Sequence, residues 1–179
     1  MNKGATSFSS LVPSLLRSRT LIVLSGGYPQ ELLLHTLLPS PSTSLPWTIV
    51  ILNYQEFAST APNFKSLTKL SANSRFKEYD KSPQIISISS TILIHDFLNL
   101  RIFPESIAGI ILLDAHKAVF HSIESFALSY YNSRNPNGFI ISISNQPTQI
   151  SSLSQLKAST CSEEALLFPS FRAPIAEMR

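Results

Sequence analysis

The chain is 179 residues long, enough for one domain with a real core and too short for two large lobes. Its hydrophobic content of 44% is that of a globular protein, its 14% charged content is low, and its net charge of +3 permits a nucleic-acid partner without demanding one. The lone Cys161 excludes an internal disulfide framework and any multi-cysteine zinc site, and no apolar run approaches the roughly 20 residues of a membrane span.

The N-terminal stretch carries Lys3, Arg17 and Arg19, many serines, and no acid before Glu31. Transit peptides share that composition, but a capped surface helix over residues 7–17, interrupted by Pro13, accounts for it as well. The expectation is therefore a helical segment over 1–19 that leads into the first strand. Residues 20–25 (TLIVLS) read as a short apolar strand running straight into Gly26 and Gly27. A helical pattern follows, with Leu32, Leu33, His35, Thr36 and Leu37, and it stops before Pro39. After a Pro- and Ser-rich spacer, residues 47–53 (WTIVILN) form a second buried-type strand. From Tyr54 to Asp80 the chain turns polar and gathers Lys65, Lys69, Arg75 and Lys77, with Phe64, Phe76 and Tyr79 interleaved. That mixture suits phosphate contacts with base stacking on a single strand; a solvated loop has the same look.

Residues 84–89 (QIISIS) read as a third strand and 91–98 (TILIHDFL) as a helix. The run at 107–113 is almost wholly apolar, as expected for a parallel strand covered on both faces. It stops at Asp114, Ala115 and His116. Val119, Ile123, Phe126, Ala127 and Tyr130 then recur at three- and four-residue steps and predict a helix with those residues on one face. Asn135, Pro136, Asn137 and Gly138 end it, and 138–144 (GFIISIS) supply a fifth strand. Residues 148–157 fit one more helix, and an apolar piece follows at 165–168. Five short strands separated by helix-length segments predict an α/β fold of three layers around a mostly parallel sheet. Ligands bind such sheets at the strands' C-terminal edge, where Asp114 and His116 fall.

Strand, glycine pair and helix is the layout of a phosphate-binding loop. Nucleotide hydrolysis also needs a lysine on the terminal phosphates and a Ser or Thr on magnesium. Gln30 and Glu31 stand in those places, and no lysine occurs between Leu24 and Leu38. Leu113, Asp114, Ala115 and His116 resemble the helicase motif Asp-Glu-Ala-His, with leucine where the metal-binding aspartate belongs. Two independent losses in one site predict no ATP hydrolysis and no bound cofactor. Gly26, Gly27, Asp114 and His116 read as remnants of the motifs, with the last two hydrogen-bonded across the strand ends. His116 and His121 are spaced poorly for a shared metal, and His35 and His95 sit in apolar helical patterns as core-edge residues.

Several segments in order resemble the N-terminal helicase-like region of the XPF family of structure-specific DNA repair endonucleases. Asp96, Phe97 and Leu98 precede the basic Arg101; an apolar strand then leads to Ala115, His116 and Lys117; Asn137, Gly138, Phe139 and Ile140 stand at the next strand. Residues 71–79 (SANSRFKEY), 32–38 (LLLHTLL) and, more loosely, 168–172 (FPSFR) are similar to further family segments. The resemblance runs from about Leu21 to Arg172. It implies a RecA-like, P-loop-type lobe over 20–147, incomplete at its C-terminus, with 148–179 connecting toward domains missing here. The family's nuclease signature, its second helicase lobe and its tandem helix-hairpin-helix module have no counterpart in these residues, so beside the family the expectation is a fragment or truncated relative holding only the first lobe.

The function implied is a non-hydrolysing DNA-binding and scaffolding lobe of a nuclear endonuclease of nucleotide-excision and interstrand-crosslink repair. The chain itself carries no nuclease or ATPase centre. Lys65, Lys69, Arg75, Lys77, Arg101 and Lys117 are the expected contacts to branched or single-stranded DNA, the last two on the strength of the resemblance. Repair scaffold proteins are the other partners implied, and the family's small non-catalytic nuclease subunit would bind only through the missing domains. The alternative is a protein-interaction domain that docks a repair scaffold without touching DNA.

Overall fold

The computed structural model describes residues 15–16, 18–24, 30–38, 47–54, 64–81, 84–146 and 164–167. Seven parallel strands form one sheet in the order β3-β4-β2-β5-β6-β1-β7. They are β1 (Arg19–Val23), β2 (Thr48–Leu52), β3 (Phe64–Ser66), β4 (Ile85–Ile88), β5 (Ile107–Leu112), β6 (Phe139–Ser144) and β7 (Glu164–Leu167). The helices are α1 (Gln30–Leu37), α2 (Ala72–Tyr79), α3 (Ser90–Leu98) and α4 (Ile123–Arg134). All five strands expected from the sequence are present, and the sheet is parallel throughout rather than mostly so. The glycine pair Gly26 and Gly27, the helix expected at 148–157 and most of the N-terminal segment lie outside the described residues. Among the described residues no helix is long and apolar enough to cross a membrane.

Apolar runs without alternation follow from the layering. On one face Val50, Leu52, Ile86, Ile88, Ile110, Leu112 and Ile140 pack under Leu93 and Phe97 of α3 and Leu128 and Tyr131 of α4. On the other, Ile49, Ile51, Ile111, Ile141 and Ile143 pack under Leu33, Leu34 and Leu37 of α1. Successive strand residues point to opposite faces, so both must be apolar when helices cover both. Gly109 of β5 lies opposite Phe139 of β6, and a Cβ on it would fall 2.3 Å from the ring. The glycine is what leaves room for that ring.

The abundant serines have a local task. Ser71, Ser89 and Ser122 cap α2, α3 and α4, each accepting from the backbone N–H three residues on. Such caps contribute about 1 kcal/mol each and set where these helices begin.

Two features differ from the sequence expectation. The polar stretch over 54–80 contains β3 and α2. The helix after β5 also starts later than its periodicity implied. Asp114 is left-handed at φ 51°, Ala115–Lys117 form a short 3-10 turn, and His121 is left-handed again at φ 65°. Helix α4 therefore begins only at Ile123, and its buried residues are Ala127, Leu128 and Tyr131. Of the face expected from the periodicity, Val119, Ile123 and Phe126 are exposed and Ala127 is buried.

Candidate functional site at the sheet edge

Because the sheet is parallel and its order runs β5-β6-β1, the exits of these three strands lie side by side on one edge. Gln30 opens α1 after β1 and is buried. Its amide Nε2 donates to Asp114 Oδ1 at 2.8 Å, and its Oε1 accepts from the Asp114 backbone N–H at 3.1 Å. The other carboxylate oxygen of Asp114 accepts from Lys117 Nζ at 2.7 Å. Burial pushes the Asp114 carboxyl up, but the hydrogen bonds from Lys117 and Gln30 outweigh it and hold the group below its ordinary value. Asp114 is thus ionised, with both oxygens engaged.

His116 is buried in the 3-10 turn, with Nδ1 3.4 Å from Ser144 Oγ at the end of β6. Burial lowers its pKa against the opposing pull of Asp114, with Lys117 adding to the lowering. The ring is therefore neutral at neutral pH. Leu113, at the position where the helicase motif has its first acid, is packed into the core under α1. This edge offers an engaged carboxylate, an amide and a neutral imidazole. Among the described residues it has no lysine on α1 and no second carboxylate beside Asp114.

A second polar cluster sits between α2 and α3, where Asp96 is fully buried. It accepts from Arg75 through Nε at 2.7 Å and Nη2 at 2.9 Å, from Tyr79 Oη at 2.8 Å and from Arg101 Nη1 at 3.0 Å. Burial alone would raise the carboxyl; hydrogen bonds from Arg75, Tyr79 and Arg101 overcome it and hold it at about 2. Arg75 Nη1 is spent on the Leu70 carbonyl at 2.7 Å.

The six expected DNA contacts are therefore not equivalent. Arg75 is turned inward, since its two-pronged pairing with Asp96 buries the guanidinium a phosphate would need. Arg101 shares Asp96 and lies 3.0 Å from His95 Nδ1. Lys65 pairs with Glu78, which Lys81 also contacts at 2.7 Å. Lys69, Lys77 and the Lys117 side chain are exposed. The structure brings Asp114, His116 and Lys117 together with two residues the sequence reading did not single out as partners, Gln30 and Ser144. Gln30 carried a signal, since it occupies the place of the missing lysine; Ser144 carried none beyond ending a strand.

No protein-family model matches the chain. Curated relatives do. The chain is 35% identical over 118 residues to the DNA repair protein RAD1 of Saccharomyces cerevisiae, a match that covers 64% of this chain and 11% of that protein. It is 32% identical over 112 residues to the DNA repair protein rad16 of Schizosaccharomyces pombe, covering 60% of this chain and 13% of that protein. It is 42% identical over 60 residues to the DNA repair endonuclease XPF of Drosophila melanogaster, covering 34% of this chain and 6% of that protein. The match thus spans about an eighth or less of the relatives' length. Among solved structures, the helicase domain of Pyrococcus furiosus Hef superposes with a TM-score of 0.68 over 90% of this chain and 37% of that one, at 17% identity. That likeness establishes the architecture. In sequence the chain is similar to part of these DNA repair proteins, XPF endonuclease among them, and its fold is the one seen in the Hef helicase domain.

Proposed function

We propose that this chain is a DNA-binding and scaffolding lobe that has kept the helicase fold and lost nucleotide hydrolysis, serving nuclear excision and crosslink repair while a module elsewhere cuts. The observation that carries the reading is the closure of Asp114 by Gln30 and Lys117 at the edge where hydrolysis would need a free lysine and two carboxylates. An ionised acid with both oxygens engaged is a poor metal ligand and a poor water-activating base. The relatives' roles in DNA repair, and the exposure of Lys69, Lys77 and Lys117, support the DNA part of the reading.

The test is a salt titration of fork and single-stranded DNA binding, with and without magnesium ATP. Three phosphate contacts to a single strand predict a log–log slope of about −2. Magnesium ATP should leave affinity unchanged and release phosphate at background. Salt-independent binding, or magnesium-dependent hydrolysis above background, rejects the proposal. A second reading, docking of a repair scaffold without DNA, draws on the exposed Leu98, Leu100 and Phe103 around the turn after α3. It predicts a stable protein complex that survives loss of Lys69, Lys77 and Lys117.

A further inference from the structure

The late start of α4 leaves an apolar stripe facing outward. Phe120, Ile123 and Phe126 are 65%, 47% and 51% exposed. Together with Thr91 and Ile94 of α3 they line a cavity of about 530 Å³ between the two helices. That volume lies within the roughly 300–1,000 Å³ of ligand pockets. Three features describe what it would accept.

The first is flat rings at its mouth. Phe120 and His121 stand with ring centroids 3.9 Å apart, presented by the left-handed turn at His121. Farther along α4, Phe126 lies 6.3 Å from Tyr130, and the Arg134 guanidinium sits 5.7 Å from the Tyr130 ring centre. The second is hydroxyls among the lining groups, from Thr91, Ser125 and Ser129. A leucine or phenylalanine anchor from a protein partner would cover those hydroxyls without satisfying them, at a cost in desolvation. A planar ligand with donors and acceptors on its rim would pair with them. The third is charge. No lining residue is acidic, and the stripe runs between Lys117, three residues before Phe120, and Arg134 at the end of α4. Rings flanked by a cation at each end of the stripe suit a single strand, whose bases stack while its phosphates follow the positive charge.

We infer that the cavity between α3 and α4 is a stacking site for an unpaired nucleobase of single-stranded DNA, with the strand's phosphates passing Lys117 and Arg134. The inference rests on the DNA-binding reading above and adds to it a second, base-contacting face.

The test uses the full chain and two probes of equal charge: an oligothymidine of about ten nucleotides, within the usual site size, and an abasic strand of the same length. The oligothymidine should bind roughly fivefold or more tightly than the abasic strand. Phe120→Ala with Phe126→Ala should erase that preference and leave the salt slope of the residual binding intact. Both side chains are half or more exposed, so their loss should leave the thermal transition in place, which circular dichroism checks. Phe126→Leu keeps apolar bulk without a ring and should lose most of the preference; full retention would mean that area rather than stacking is being read, and would overturn the site. Equal affinity for both probes, unmoved by the variants, refutes the base pocket while leaving DNA binding standing. Absence of binding to either probe at low salt refutes both. Concentration-dependent self-association abolished by Phe126→Ala, without a base preference, would show a protein interface instead.

Discussion

Replacing Asp96 with asparagine tests whether the buried cluster between α2 and α3 is a folding device or a displaced binding site. The carboxylate is fully buried and accepts four hydrogen bonds, two from Arg75 and one each from Tyr79 and Arg101. Its acidity, held at about 2 against an ordinary 3.8, means that the fold favours the ionised form. At about 1.4 kcal/mol for each tenfold change in proton affinity, that preference is worth on the order of 2 kcal/mol. Since the folded value is depressed, the contribution is complete above pH 3.8 and is lost as the pH falls through about 2. Asparagine removes the charge at every pH, turns an amide against Arg75 and leaves the guanidinium buried without a counterion. Breaking one side of a buried pair costs about 3–5 kcal/mol. Against a typical domain stability of about 5–15 kcal/mol, that loss is large enough to move the melting temperature by roughly 10 °C. Urea denaturation followed by circular dichroism, repeated between pH 7 and pH 2, measures both quantities. A loss under about 1 kcal/mol, or an acid limb in Asp96→Asn as steep as in the wild type, refutes the reasoning. The double variant Arg75→Met with Asp96→Leu adds a control, because an apolar pair of similar size is often neutral in such a place. It should recover most of the stability and keep the wild-type salt slope for DNA. A slope flattened by about one unit would return Arg75 to the phosphate contacts.

Other perturbations probe the remaining links. His116 is neutral in the fold and takes up its proton at lower pH than in the unfolded chain, so stability should decline from pH 7 toward pH 5, and His116→Gln should flatten that limb in urea titrations. Gly109→Ala drives a methyl into the Phe139 ring and should cost about 1–3 kcal/mol, part of it regained by Phe139→Leu in the same chain. Gln30→Lys restores a lysine to the head of α1 but leaves Leu113 in the core, so phosphate release should stay at background; release above it would show that a single residue had silenced the site. Tyr131→Phe removes the 2.9 Å hydrogen bond to the Ile107 carbonyl, which Asn135 also contacts at 2.8 Å, and should cost only about 1 kcal/mol by thermal denaturation.

The strands were legible because burial on both faces leaves little room for alternation: each of the five expected runs is dominated by Ile, Leu or Val, with only small residues between them. Strand β3 was not legible, for it needs only backbone pairing with β4 over Phe64, Lys65 and Ser66, all half-buried. The stripe on α4 had the right period and the wrong phase. Counting from Val119 ran the helical repeat through the left-handed His121 before the helix begins at Ile123, and a helix face cannot be carried across such a break. Its true core residues, Ala127, Leu128 and Tyr131, are set by where Ser122 caps the helix.

The polar residues divide in the same way. What could be read at the sheet edge was identity: glutamine for lysine at position 30 and leucine for acid at position 113. What could not be read was pairing, since Gln30 and Asp114 are 84 residues apart and meet only because β6 alone separates β1 from β5. Arg75 shows the limit most clearly. In the linear sequence it belongs to a basic cluster of surface type, and its partner lies 21 residues on in an apolar helix. Once β4 carries the chain from α2 to α3, that lone acid faces the arginine across a dry gap, and pairing inward costs less than leaving either charge buried alone. Charge density along a sequence therefore marks candidate contacts, while the sheet order decides which of them remain available to a partner.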